Sequence, residues 1–179
     1  FNATQASRWL PRLVDLLART LELTLDLGTG ANGAGGRTLH SLEPGQMRRE
    51  QAFTFACAGR QVVLSNSDVL QALGLKDSLE IDAAYLTGVI DALVLTESGI
   101  DVIDWKTNAL ADWSPEACAQ AMDGHLYRLQ AMLYLAAVRR AFPGIKVGKA
   151  HYVFMRGPAV HVFDPGPALV DEFLKFLEV

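Results

Sequence analysis

Two β-rich runs, Tyr85 to Thr96 and Ile100 to Thr107, are separated only by Glu97, Ser98 and Gly99. So short a gap leaves room for a tight turn and nothing else, so the runs must be neighbours in one antiparallel ladder. With Glu97 and Ser98 as a two-residue turn, the numbers of paired residues sum to 195, and Asp91 falls opposite Asp104. Side chains alternate along a strand, so Lys106 shares the face of Asp104. Leu93, Leu95, Ile100 and Val102 complete that face as an apolar surface. The chain is therefore predicted to place two carboxylates and one ammonium at one end of a hydrophobic sheet face.

Like charges directly opposite one another on neighbouring strands repel. Half-buried carboxylates this close either share a proton or hold a cation between them. Lys106 neutralises only part of the charge. A hard divalent metal, which prefers oxygen ligands, resolves the rest, and the backbone carbonyl of Trp105 offers another oxygen. An Asp within GVIDALVL is costly to bury without a partner, which sets it apart from a solvated strand end.

The remaining segments supply layers for this hairpin. Residues 6 to 24 carry Trp9, Leu10, Leu13, Leu16, Leu17, Thr20 and Leu21 near one helical stripe. Five glycines between Gly28 and Gly36 predict a loop. Strands are expected at 48–57, 61–64, 147–156 and 159–163. A short helix capped by Ser65 or Asn66 is expected to end at Gly74. Helical sequence from Pro115 to Ala141 breaks near Gly124, and a last helix spans 165–177 with Leu169, Val170, Phe173 and Leu177 buried. Leu126, Leu129, Leu133 and Ala136 form the core stripe of the long helix; Gln130 and Tyr134 share a face of it, with Tyr127 nearby. This order predicts an α/β layer protein with a central mixed β-sheet flanked by helices.

Several classes are excluded. The glycine loop has G-x-x-x-x-G spacing at Gly30 and Gly35, but Gly36 stands where a phosphate-binding Lys is required and no strand is evident before it, so ATP binding is rejected. Cys57 and Cys118 are too few and too far apart for a disulfide framework, a structural zinc or a four-cysteine cluster, and they suit a reducing cytoplasm. No 20-residue apolar run or basic leader occurs, and the first residue, Phe1, reads as the start of a fragment or a processed product. A net charge of -4 argues against a wholly basic surface. The charges are nevertheless uneven: seven acids and no Lys or Arg lie between Asp77 and Asp104, and six Lys or Arg and no acid between Gly124 and Val160. The sharper reading of that asymmetry is an acidic metal pocket beside a phosphate-binding rim.

Gly88 to Asp91 (G-x-I-D), Asp104 to Lys106 (D-W-K), Gln130 to Tyr134 (Q-x-x-x-Y) and the HYVFMRG segment, in that order, resemble the motifs of the RecB-type nuclease family of the PD-(D/E)XK superfamily. The resemblance covers residues 85 to 160. It implies a restriction-endonuclease-like core over 46–179, with 1–45 as an N-terminal helix and glycine-rich loop of the same domain. It also implies Mg2+ (or Mn2+) held by Asp91, Asp104 and the Trp105 carbonyl, with Lys106 orienting or activating water and stabilising charge on the phosphate. Gln130, Tyr134 and Tyr127 would position the strand or support the site. The implied substrate is DNA, as linear duplex ends or single strands. The implied partners are a helicase region of the same full-length chain and further subunits of a RecBCD-like complex. Family members carry a metal-binding His in a G-T-x-L-H segment. His40 in GRTLHSLE is similar, but too few residues separate it from the next strand, so it reads as a surface residue. Glu50 resembles an acid on the first core strand, and His125 a helix His; His151 and His161 read as sheet residues. Two other readings stay open: a stand-alone exonuclease or resolvase of the same fold, and a non-catalytic scaffold that docks DNA or a partner.

Overall fold

The computed structural model describes residues 3–29, 35–57, 62–97 and 99–178. Among them are helices α1 (Ala3–Leu21), α2 (Ser67–Leu73), α3 (Pro115–Gly124), α4 (Tyr127–Ala141) and α5 (Pro167–Glu178). The strands are β1 (Thr24–Thr29), β2 (Gly35–Thr38), β3 (Met47–Ala56), β4 (Val62–Leu64), β5 (Leu79–Ile81), β6 (Tyr85–Thr96), β7 (Gly99–Lys106), β8 (Val147–Phe154) and β9 (Ala159–Phe163). The central sheet has five strands in the order β3-β6-β7-β8-β9, and β1-β2 and β4-β5 each form a separate two-stranded sheet. All central pairs are antiparallel except β7 with β8. The result is a mixed α/β fold, as the sequence predicts, with a mixed sheet flanked by helices.

The β6–β7 register runs from Ala92↔Ile103 to Thr96↔Gly99, the pairing expected for the two-residue turn. Ser98 itself lies outside the described residues, as do Gly30 to Ala34 of the glycine loop. That loop is shorter than predicted, because its flanks pair as β1 and β2, so a strand does precede it. The rejection of a P-loop then rests on Gly36 alone. The first helix correspondingly stops at Leu21 rather than residue 24.

The main core lies between the sheet and α2 to α5, where Ile90, Leu93, Val102, Tyr152 and Phe154 meet Met132, Leu135, Val138, Phe173 and Leu177. A smaller core on the opposite face joins Ala92, Val94, Ile103 and Val153 to Leu25, Leu27 and Leu39. Three packing expectations need correction. The predicted stripe of α4 is only partly right: Leu126 is exposed, and Leu129 and Leu133 are half-buried. The fully buried residues are Ala131, Met132, Leu135 and Ala136. This helix packs against both the sheet and α5, so its buried positions spread beyond a single stripe. Leu95, near the hairpin tip, is exposed beyond the reach of the covering helices. The apolar stripe of α1 faces solvent apart from the buried Thr20 and the half-buried Leu16. The ends of α2 follow local chemistry. Asn66 accepts from the N–H groups of Asp68 and Val69, and Gly74 closes the helix in the left-handed region.

Two irregularities set the frame of the sheet. In β6, Ile90 lies in the same core as Leu93 while Ala92 and Val94 face the other way, so alternation slips by one residue at Asp91. The neighbouring strand slips at the same level: Phe53 faces the helices, Met47 faces away, and Glu50 between them has φ 51°. The second irregularity is in β8, where the register moves from Ile100↔Val147 to Val102↔Ala150. Opposite this bulge, the buried Asp101 carboxylate accepts from the Lys149 N–H at 3.1 Å and meets His151 Nε2 at 2.9 Å. A Cβ on Gly148 would overlap Asp101 Oδ1, so only glycine fits there.

Candidate active site

Asp104 and Lys106 leave β7 on the face covered by α4. Asp104 is 3% exposed, and the Lys106 ammonium sits 2.5 Å from its Oδ2. The ammonium engages this buried oxygen directly, as a close ion pair. Lys106 also donates to Gln130 Oε1 at 2.9 Å. An ammonium can only donate, which fixes the Gln130 amide with Oε1 toward Lys106; its Nε2 then donates to the Tyr134 hydroxyl at 2.9 Å. The i, i+4 spacing read from the sequence is what places this amide and phenol side by side on α4.

An aromatic floor lies beneath the ammonium. Nζ of Lys106 is 4.0 Å from the centroid of the Tyr127 ring and 5.1 Å from that of Tyr152. These rings stack on each other, and His125 stacks on the outer side of Tyr127. Tyr152 donates to the Tyr127 carbonyl at 2.9 Å and approaches Gln130 Oε1 at 3.3 Å, while Tyr127 donates to Asn108 Oδ1. Sequence reasoning misses Tyr152 and Asn108. The signal for Tyr152 is its strand position: it pairs with Asp104 in the parallel ladder, which becomes visible only once the bulge is known.

Asp91 approaches from β6. The backbone ladder stops one pair short of the two acids, because Asp91 Oδ2 accepts from the Trp105 N–H at 2.8 Å. In an extended strand the N–H and C=O of one residue leave the same edge, so the Trp105 carbonyl also opens toward β6. The electrostatics follow from this packing. Burial raises the Asp104 carboxyl above the ordinary range; Lys106 counteracts the shift and Asp91 adds to it. Burial likewise raises Tyr134 and Tyr152, reinforced by the Asp104 charge, so both phenols stay protonated at neutral pH.

The oxygen atoms present fit a hard cation. Two carboxylates, one of them buried beside Lys106, stand with the Trp105 carbonyl at one rim, a set of oxygens suited to an ion that keeps several waters. Among the described residues no group of three or more His, Cys, Asp or Glu side chains converges to hold a metal. His40 is exposed on the turn of residues 39–41, apart from these contacts. Glu50 is exposed at the level of Asp91 on the neighbouring strand. His151 is fully buried against Asp101, and His161 lies half-buried on β9, where burial and then Arg128 lower its pKa.

The expected basic rim is mostly dispersed. Arg128, Arg139, Arg140 and Lys149 pair with Asp123, Asp171, Glu178 and Asp26 as structural ion pairs. No helix among the described residues is long and apolar enough to cross a membrane.

The structure is thus a helix-flanked mixed sheet with Asp91, Asp104 and Lys106 at one rim. The sequence model of the PD-(D/E)XK nuclease superfamily matches residues 3–178, and the chain belongs to that superfamily. Nucleases of this kind usually use divalent metals such as Mg2+, and their substrate is DNA. Comparison with curated proteins returns no significant match.

Proposed function

We propose that this chain is a Mg2+-dependent deoxyribonuclease domain that hydrolyses DNA phosphodiesters while double-strand ends are processed. In this reading residues 1–179 form one domain of a RecB-like helicase-nuclease of the cytoplasm, with the motor and partner subunits elsewhere. The observation that supports it most is the convergence of Asp91, Asp104, Lys106 and the Gln130 amide at one rim of the sheet.

Asp91, Asp104 and the Trp105 carbonyl would hold the ion. Bound there, Mg2+ supplies a more acidic water and screens charge developing on the phosphate. Lys106 carries its positive charge to the attacking water and the phosphate oxygens, in a low-dielectric setting that strengthens the effect. Gln130 holds that ammonium in place, and Tyr134 fixes the amide. Tyr127 and Tyr152 supply a rigid wall on which the ammonium rests. The absence of a third acidic or histidine ligand among the described residues favours one second reading, a nuclease-like scaffold that docks DNA without cutting it.

The two readings separate in one experiment. Linear DNA with Mg2+ is to be degraded by the wild-type chain, and Asp104→Asn and Lys106→Ala are each to lose at least about 100-fold in rate. Calorimetry is to show Mg2+ or Mn2+ binding that Asp91→Asn and Asp104→Asn abolish. Undiminished cleavage in both rate variants removes those residues from the chemistry, and no metal binding to the wild type leaves the scaffold.

A further inference from the structure

Helix α1 turns Trp9, Leu10, Leu13, Val14, Leu17 and Leu21 to solvent, each between 45% and 60% exposed. At helical spacing these six side chains form one continuous strip. Together they amount to an apolar patch of a few hundred Å2, the size at which a patch marks an interaction surface. The strip does not end with the helix. Leu17 and Leu21 also line a pocket of about 390 Å3, together with Met47, Trp105, Met155 and, as its charged residue, Arg49. Pockets of this apolar kind accept a single bulky anchor side chain.

The charges bordering the strip indicate what covers it. Arg8 and Arg12 fall along one flank of α1, with guanidinium groups 5.7 and 5.3 Å from the Trp9 ring centroid, while Arg19 on the same flank is paired with Asp15. Arg49 adds a cation at the pocket end. We propose that this strip and pocket dock an amphipathic helix of a partner protein, one with an acidic flank and a large apolar anchor that sits against Trp105. A second copy of α1 would bring Arg8 and Arg12 against their own counterparts, which opposes self-association. Nucleic acid would match the arginines and leave the apolar strip in water.

The probes are two synthetic helical peptides with the same Leu/Phe face, one flanked by Glu and the other by Lys, titrated into the intact chain by calorimetry. The Glu peptide is expected to bind at least tenfold tighter than the Lys peptide. Leu13→Glu with Leu17→Glu weakens it at least tenfold, and Arg8→Glu with Arg12→Glu inverts the preference. These side chains are exposed, so circular dichroism is to remain unchanged. Equal affinity for both peptides, or none for either, overturns the proposal. So does concentration-dependent dimerisation lost in the Leu13 and Leu17 variant, which assigns the strip to a second copy, or displacement of the peptide by DNA. Binding is read without cleavage, so the outcome is independent of the nuclease reading.

Discussion

Replacing Gly148 by Ala probes the device that aligns β7 with β8. The new methyl would overlap Asp101 Oδ1 and stand 2.9 Å from its carboxyl carbon, so the carboxylate has to move. Moving it breaks two hydrogen bonds, 3.1 Å to the Lys149 N–H and 2.9 Å to His151 Nε2. Asp101 and His151 are 2% and 0% exposed, so water cannot take over either bond. Overpacking alone costs about 1–3 kcal/mol, and a buried pair broken on one side costs about 3–5 kcal/mol. The two effects share one displacement, so the larger range is the expectation. At this chain length it corresponds to a thermal midpoint lowered by roughly 6–20 °C. Urea denaturation followed by circular dichroism gives the free energy directly. Gly144→Ala, where no atom lies within 4 Å, serves as the control with little change. The double variant Asp101→Ala, Gly148→Ala is to lose less than the sum of its parts, since the first change removes the obstacle to the second. A Gly148→Ala loss below about 1 kcal/mol, or strict additivity, refutes the assignment of Asp101 as the register pin.

Two further outcomes concern the acid rim. Burial, with Asp91 beside it, holds the Asp104 carboxyl above its unfolded value despite Lys106, so the stability tied to its protonated form is present at low pH and is lost as pH rises through the folded value. Mg2+ acts on the ionised form, so the ion is to raise the thermal midpoint more at pH 8 than at pH 5; equal gains would count against a metal at Asp104. Gln130→Ala removes the acceptor of Lys106 and the donor to Tyr134, and is to lower kcat roughly 10–100-fold with the fold intact, through misplacement of the ammonium. Unchanged kcat in that variant would show that Lys106 needs no such support.

The hairpin is legible in the sequence because its turn is short and its alternation strong, and with it comes the meeting of Asp91, Asp104 and Lys106. Gln130 and Tyr134 are legible as helix neighbours, though nothing in the spacing of α4 says that their amide faces Lys106. The slip at Asp91 and Glu50 is hidden, since period-two patterning assumes unbroken pleating. β4 falls within the strand expected at 61–64, whereas β1, β2 and β5 escape because strands of three to six residues carry little pattern. His151 reads as one more sheet residue; its partner Asp101 stands 50 positions away, and only the bulge in β8 brings them together. The helical stripe of α1 is plain as a pattern and says nothing of what covers it.

The contacts at the candidate site and at the β8 bulge differ in how much chain each must close. Asp91 reaches Trp105 across 14 positions, a loop the hairpin forms at little entropic cost, whereas Asp101 reaches Lys149 across 48. The acidic pair can therefore assemble from local sequence alone, while its alignment with β8 waits for two helices to be laid down. A grafted β6–β7 hairpin would carry both acids and Lys106 to a new scaffold, but the ammonium would arrive there without Gln130 to receive it.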